Sequence, residues 1–516
     1  MALTETAEKQ DGIVLPVQGG SSYKQILKSS AVIGGSSIVN ILLGIVRTKA
    51  MAMLLGPAGI GLMGTYNAVT DMVRAVAGMG VGDSGVRQIA EGVGTGNQLR
   101  IARSVVTLRR VVFVLGVAGA LVLFVFSGPV CRMTFGNTEH VVPMAVLSIT
   151  ILFAAVTGGQ AALIQGMRQI GNLARISVIG GVVGTVFSIP IVYFLGERGI
   201  VPSLVCVSAM SIVTSWWYAR KIRVASVAVK WAETWSDAVP LLRLGFVFLA
   251  GGVMSSGVAY LARAVLVRWV DLEGVGLYQA ASTLAGLYID FILQAMARDF
   301  YPRLTATRGN AECNRMVNEQ TEVGLLLATP GILATLSFTP LLLGMFYTPK
   351  FAPAADILRW MVLGLLLRVA AWPMLIILPA KGESKLFFWA QFAANAVYAA
   401  LIFICVRYWG LVGIGVASAG FYLFYAVATF VIVRRLSGFA FSAANLRLGA
   451  QMGAATLLVF GLRVRGILTQ QQALATGALI TLAIGIYSLR RLYSLGGKEL
   501  FDSFLSKMLN AFCRAR

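Results

Sequence analysis

Charged side chains interrupt apolar runs at several points of this 516-residue chain, and these are the residues whose types could do chemistry. Asp71 and Arg74 fall about 16 and 21 Å along the run that starts at Ile60, three positions apart and therefore on one helical face. Asp290 and Gln294 share one side of a later run. Arg368 stands in the middle of another, between Leu365, Leu366 and Leu367 and Val369, with no acid nearby in its own helix. Two more pairs of cations, Arg47 with Lys49 and Arg263 with Arg268, lie towards the ends of long Gly/Ser-rich runs. An ionised group near a bilayer centre costs at least about 2.5–3.5 kcal/mol on insertion scales, so each is a candidate for binding or transport. Guanidinium groups match phosphate oxygens two at a time. Arg47, Lys49, Arg74, Arg263, Arg268 and Arg368, with Gln294, are therefore expected to bind an anionic substrate. Asp71 and Asp290 are the groups that could carry a proton or small cation. A plainer reading stands beside each: Asp71 and Arg74 could lock two helices together, Arg368 could pair with Asp290 or Asp71, and the two outer pairs could mark the membrane interface.

Other chemistry is hard to find. Cys131, Cys206, Cys313, Cys405 and Cys513 are far apart in sequence and His140 is the single histidine, which leaves neither a metal-ligand pattern nor a disulfide framework. The nearest approach to a phosphate loop, Gly496-Gly497-Lys498-Glu499, lacks both the upstream glycine spacing and the hydroxyl. No GxSxG elbow is present. No catalytic residue, metal or cofactor is expected.

The elements that must position these charges are transmembrane helices. Hydrophobic residues make up 58% of the chain and charged ones 12%, and mean hydropathy is +0.80, against roughly 25% charge in soluble domains. Apolar runs of about 20 residues, the length needed to cross hydrocarbon, recur at 26–46, 59–80, 111–127, 141–164, 176–195, 200–218, 241–262, 275–297, 323–345, 357–378, 386–406 and 411–432, with shorter ones at 447–462 and 470–489. The net charge of +22 sits mostly between these runs, where it orients spans and meets anionic lipid rather than nucleic acid. Lys and Arg favour one side by roughly three to one, which predicts both termini in the cytoplasm. Cys131 then lies outside, and Cys313 and Cys513 inside. The first 24 residues lack the apolar core of a signal peptide, so no cleavage is expected.

A weak internal repeat runs through the chain. Ala58-Gly59-Ile60-Gly61-Leu62 aligns with Glu273-Gly274-Val275-Gly276-Leu277, Gly171 with Gly382, and Gly199 with Gly410. The expected fold is an all-α polytopic membrane protein with two six-helix lobes related by a pseudo-two-fold axis along the membrane normal, plus two C-terminal helices. The boundaries are a tail over 1–24, an N-lobe over 25–220, a linker over 221–240, a C-lobe over 241–435, two further helices over 436–490 and a tail over 491–516. Small residues at Gly180, Gly181, Gly184 and Ser188, and at Gly251, Gly252, Ser255, Ser256 and Ala259, suit close helix packing.

Arg47-Thr48-Lys49 leading into Leu55-Gly56-Pro57-Ala58-Gly59-Ile60-Gly61-Leu62, Gly78-Met79-Gly80-Val81-Gly82, and Asp299-Phe300-Tyr301-Pro302-Arg303-Leu304 resemble the Wzx-type O-antigen and enterobacterial common antigen flippases. These belong to the multidrug/oligosaccharidyl-lipid/polysaccharide exporter superfamily. The resemblance covers roughly residues 25–435 and implies two lobes around a cationic cavity that opens alternately to either side of the inner membrane. Its implied cargo is an undecaprenyl-diphosphate-linked glycan, moved to the periplasmic leaflet. Membrane lipids, and polymerase and chain-length proteins of the same pathway, would be the partners. Family members have twelve spans, two fewer than the count here. Two other classes remain open: a drug/cation antiporter of the same superfamily, which would need an acidic cavity, and a membrane-embedded glycan polymerase or ligase, which would need a large outer loop.

Overall fold

The structure, a computed structural model, describes residues 19–497 apart from 223, 226, 228, 308 and 465–468. The described residues form sixteen α-helices and no strand. In chain order they are α1 Gly19–Gly78, α2 Val81–Gly94, α3 Gln98–Val125, α4 Ser127–Phe135, α5 Val141–Gly166, α6 Ile170–Leu195, α7 Ile200–Ala219 and α8 Trp231–Trp269. There follow α9 Leu272–Ala306, α10 Asn310–Ser337, α11 Thr339–Phe346, α12 Ala354–Leu375, α13 Ile377–Ala380, α14 Ser384–Ser437, α15 Ala443–Val464 and α16 Gln470–Leu492. Helices dominate because hydrocarbon offers the backbone no partner, so each segment must satisfy its own N–H and C=O groups.

Nine helical stretches among the described residues are long and apolar enough to cross a membrane, and α10 with α11, bent by 82°, makes a tenth. Three of the nine, Val39–Gly78, Ile170–Ala219 and Ser384–Ser437, run to 40, 50 and 54 residues, too long for one crossing. Each is broken at a glycine with positive φ: Gly56 at 65°, Gly196 at 58° and Gly410 at 54°. Glycine alone enters that region without a Cβ penalty, so the chain can reverse there between two membrane-length segments. Of the two short C-terminal runs, the second coincides but for its first residue with part of a qualifying stretch, Gln471–Leu495, and α15 does not qualify. The helix α1 already starts inside the segment expected as a tail, and α8 starts at Trp231 inside the expected linker. Residues 1–18 and 498–516, with most of the tail expectations and Cys513, lie outside the described residues.

Two chain reversals recur with the same backbone pattern 214 positions apart. Arg168 N–H donates to Gln165 and Gln169 N–H to Ile164; correspondingly, Gly382 N–H donates to Pro379 and Glu383 N–H to Leu378. Arg168 takes the positive φ of 57° that Gly382 takes at 78°. At the next reversal Gly196 (φ 58°, ψ −136°) matches Gly410 (φ 54°, ψ −135°). Three residues on, a Cβ at Gly199 would meet the Ile191 carbonyl at 2.7 Å, and one at Gly413 the Cys405 carbonyl at 2.1 Å. The turns therefore equate Gly199 with Gly413 rather than with Gly410, and Gly382 with Arg168 rather than with Gly171. The sequence pairings were three residues out because a glycine-to-glycine match ignores which glycine makes the turn.

Helices α1, α3, α5, α6 and α7 pack on one another, as do α9, α10, α12 and α14, and α1 meets α8 and α9. At the end of the bundle that carries Gly56, one continuous apolar core joins Met51, Ile60, Tyr66 and Leu147 to Val275, Leu284, Leu336 and Ile402. At the opposite, Gly78 end the core is divided. One part gathers Val81, Ile89, Val105 and Ile164, and the other Phe300, Val317, Met374 and Val433. The α1–α9 crossing at the joined end has no room for side chains. A Cβ at Gly61 would stand 2.0 Å from the Leu272 carbonyl oxygen, and one at Gly276 1.9 Å from that of Pro57. The small-residue stripe of α6 plays a similar part, since Cβ atoms at Gly181 and Gly184 would meet Asn40 and Arg47 of α1 at 2.9 and 3.4 Å.

Candidate functional site: paired charges in the helical bundle

Pro57 opens the second segment of α1, a position where its missing N–H costs no helical bond. From there to Val69 the segment is mostly buried, and beyond Thr70 it turns outward. Arg74 Nη2 lies 2.9 Å from Asp71 Oδ1, the two side chains 56% and 52% exposed. Arg74 stands at a crevice of about 340 Å³ lined largely by small residues, among them Ala75, Gly78, Gly158, Gly159 and Gly252, with Asp83 also lining it.

The second charge pair joins two helices. Arg368 of α12 brings Nη2 to 2.6 Å from Asp290 Oδ1 of α9, at 29% and 45% exposure. Of the pairings open to Arg368 in the sequence, the structure selects Asp290. The guanidinium also lies 5.9 Å from the centre of the Tyr422 ring, within cation–π range. Gly364, one turn before Arg368, makes room for that ring: a Cβ there would be 2.9 Å from Tyr422 Cδ2. Behind it Tyr398 stacks on Phe421 at 4.6 Å, and Phe421 meets Tyr425 at 5.6 Å. Sequence reasoning missed this aromatic wall, although Phe421, Tyr422 and Tyr425 at helical spacing were its visible signal. Gln294, one turn beyond Asp290, is exposed.

The remaining expected ligands are elsewhere. Lys49 Nζ donates to the Gly344 carbonyl at 2.6 Å and to that of Tyr347, at the end of α11. Arg268 Nη1 donates to the Met133 carbonyl of α4 at 3.2 Å. Arg263 donates through Nη1 to Ala259 at 2.8 Å and through Nη2 to Gln279 Oε1 at 2.6 Å; its Nε is buried with no acceptor. Arg47 rests against Gly184 of α6. The structure thus brings together Asp71 with Arg74, and Asp290 with Arg368, and places Lys49 and Arg268 on helix ends.

His140 is also held. Its Nδ1 lies 2.9 Å from the Tyr66 hydroxyl, and its ring 4.3 Å from that of Phe135. Burial there pushes the imidazole below its ordinary value, against the opposing influence of Glu139 and Glu197. Cys131 and Cys313 are buried, at 0% and 3% exposure, so position on one side of the membrane does not make either thiol accessible. Among the described residues no three His, Cys, Asp or Glu side chains are grouped to hold a metal.

The chain is similar to known membrane proteins. The Lipid III flippase of Escherichia coli (strain K12) is 23% identical over 375 residues, covering 71% of this chain and 88% of that protein. A solved structure of the lipid II flippase MurJ in an inward closed conformation superposes with a TM-score of 0.69 at 13% identity, covering 91% of this chain and 99% of that one. An inward-facing multidrug resistance MATE transporter of the MOP superfamily superposes at 0.66 and 16% identity, covering 78% and 98%. The resemblance read from the motifs over 25–435 agrees with these relatives. Residues 50–356, more than half of the chain, match the family described as polysaccharide biosynthesis protein, and the chain belongs to that family, as a multi-pass membrane protein with the fold of the MOP superfamily.

Proposed function

We propose that this protein is a flippase that carries an undecaprenyl-diphosphate-linked oligosaccharide from the cytoplasmic to the periplasmic leaflet of the inner membrane, for surface polysaccharide synthesis. The observation that carries the reading is the Asp290–Arg368 pair, half-exposed beside Tyr422, in a chain that covers 88% of a lipid III flippase. A pyrophosphate can compete with the Asp290 carboxylate for Arg368, because a guanidinium donates two N–H bonds to either oxyanion. The displaced carboxylate is then free to take a proton or cation, which links anion binding to an ion gradient. Arg74 and Asp71 repeat the arrangement on α1.

Two six-helix lobes with both termini in the cytoplasm fit this cycle. The recurring turns and the meeting of Gly61 with Gly276 support two related halves. The joined core at the Gly56 end and the divided core at the Gly78 end suit a transporter closed outside and open inside. The test uses purified protein in vesicles with a labelled lipid-linked glycan. A change of sidedness is expected; chain growth would indicate a polymerase or ligase, and no change would remove the flippase reading. Arg368→Ala should abolish the movement with the protein still inserted.

A further inference from the structure

The shut end of the bundle is held by two reciprocal contacts. Helices α4 and α11 are short and occupy corresponding places: each follows a long helix after a break at a phenylalanine, Phe126 before α4 and Phe338 before α11. Their C-termini finish alike. Gly136 N–H closes on the Arg132 carbonyl at 3.1 Å, and Tyr347 N–H on that of Leu343 at 2.8 Å. In each helix the next carbonyl belongs to the last turn, where no intrahelical donor remains. In α4 it is Met133, which accepts from Arg268 of α8 at 3.2 Å. In α11 it is Gly344, which accepts from Lys49 of α1 at 2.6 Å, with the Tyr347 carbonyl accepting as well. Each cation therefore comes from the other half of the chain. A second α8–α4 bond, between the Tyr260 and Thr134 hydroxyls at 2.8 Å, lies beside the first.

We propose that Lys49 and Arg268 form a reciprocal pair of clasps, each a cation from one half seated on the C-terminal carbonyls of the short helix in the other half, and that both must release before the Gly56 end can open. The chemistry is a charge on the negative end of a helix dipole. It is strong enough to bias the closed state and weak enough to be broken in each cycle. At the Gly61–Gly276 contact α1 of one half meets α9 of the other. This inference rests on the alternating-access reading above, and it moves Lys49 and Arg268 from substrate ligands to gate residues.

The experiment places spin labels on otherwise cysteine-free full-length protein in lipid nanodiscs, at Asn137→Cys and Lys350→Cys. Both sites are exposed, one following α4 and the other following α11. Double electron–electron resonance then reads the closed and open distances. Lys49→Met and Arg268→Met, which keep an apolar stem, should each raise the open-to-closed ratio about two- to fivefold, the range expected for a cation at a helix C-terminus. The double variant should raise it by about the product, since the contacts are separate. Lys49→Arg and Arg268→Lys should keep the parent distribution, and they test the same contacts should a Met variant fail to fold. Met variants with the parent distribution but weakened capture of lipid-linked glycan would overturn the clasps and return both residues to ligand binding. Conservative variants that open the bundle as far as the Met variants do would also overturn them. A shifted ratio in a protein that moves no glycan leaves the clasps standing and removes only the cargo.

Discussion

At the scale of residues, a part-exposed ion pair is a poor anchor and a good exchange site. Water and ions screen the attraction, which is worth only about 0–1 kcal/mol in exposed pairs, so an incoming anion can replace one partner at little net cost. Asp290→Asn should keep glycan binding but lose dependence on the ion gradient; vesicle transport with and without an imposed pH difference measures this, and an Asn variant with full gradient dependence would remove Asp290 from coupling. The double change Asp71→Ala with Arg74→Ala separates the two roles of that pair. Normal transport by the double variant would make it structural, whereas loss with intact insertion supports Arg74 as a ligand. His140 gives a pH test with one titrating imidazole in the chain. Its folded-state value is lowered, so near pH 6.5 the folded protein binds fewer protons than the unfolded chain, and stability falls as pH drops through the ordinary imidazole range of about 6.5. Thermal unfolding followed from pH 7.5 to 5.5 should show that loss, and His140→Gln should flatten it.

Elements fail where their glycines are replaced, but for two different reasons. Gly410 needs its φ of 54°, so Gly410→Ala should cost about 1–2 kcal/mol through backbone strain although nothing lies near its Cβ position. Gly276 has ordinary helical geometry and fails by collision: Gly276→Ala puts a methyl 1.9 Å from the Pro57 oxygen and should cost about 1–3 kcal/mol or part α1 from α9. Arg168 holds a positive φ without being glycine, and Arg168→Gly should be neutral or stabilising by up to about 1 kcal/mol. Fluorescence-detected melting in detergent ranks the three. Equal losses in all three would mean that the turn geometry does not govern stability.

For the whole molecule, the sidedness of the bundle decides what the clasps and the divided core mean. The native cysteines are unsuited to the measurement, because Cys131 and Cys313 are buried. Asn137→Cys in a cysteine-free protein should react with an impermeant thiol reagent on intact cells, and Arg315→Cys, exposed on α10 beyond the Gly78 end of the core, should react only after permeabilisation. The opposite result would invert the bundle and make the open end periplasmic. The C-terminal helices ride on one half alone: α15 and α16 pack on α10, where Arg491 pairs with Glu322 at 3.0 Å and Asn445 Nδ2 donates to Asn318 at 2.8 Å.

Composition and hydropathy alone determined that the chain lives in a bilayer as a helical bundle, because hydrocarbon permits few other backbones and each span must declare itself in about 20 apolar residues. The breaks at Gly56 and Gly410 were legible for the same local reason, as were the charges at depth. The Asp71–Arg74 pairing was legible as well, since three positions put both on one helical face; which partner a cation without a neighbour in its own helix meets was not. Arg368 finds Asp290 across two helices, and Lys49 finds carbonyls nearly 300 positions away. Backbone carbonyls carry no sequence signal, so a cation that serves as a helix cap reads in sequence like one that awaits a ligand. Only the tertiary structure puts a helix end within reach of Lys49 and Arg268, because it alone brings α11 and α4 beside them.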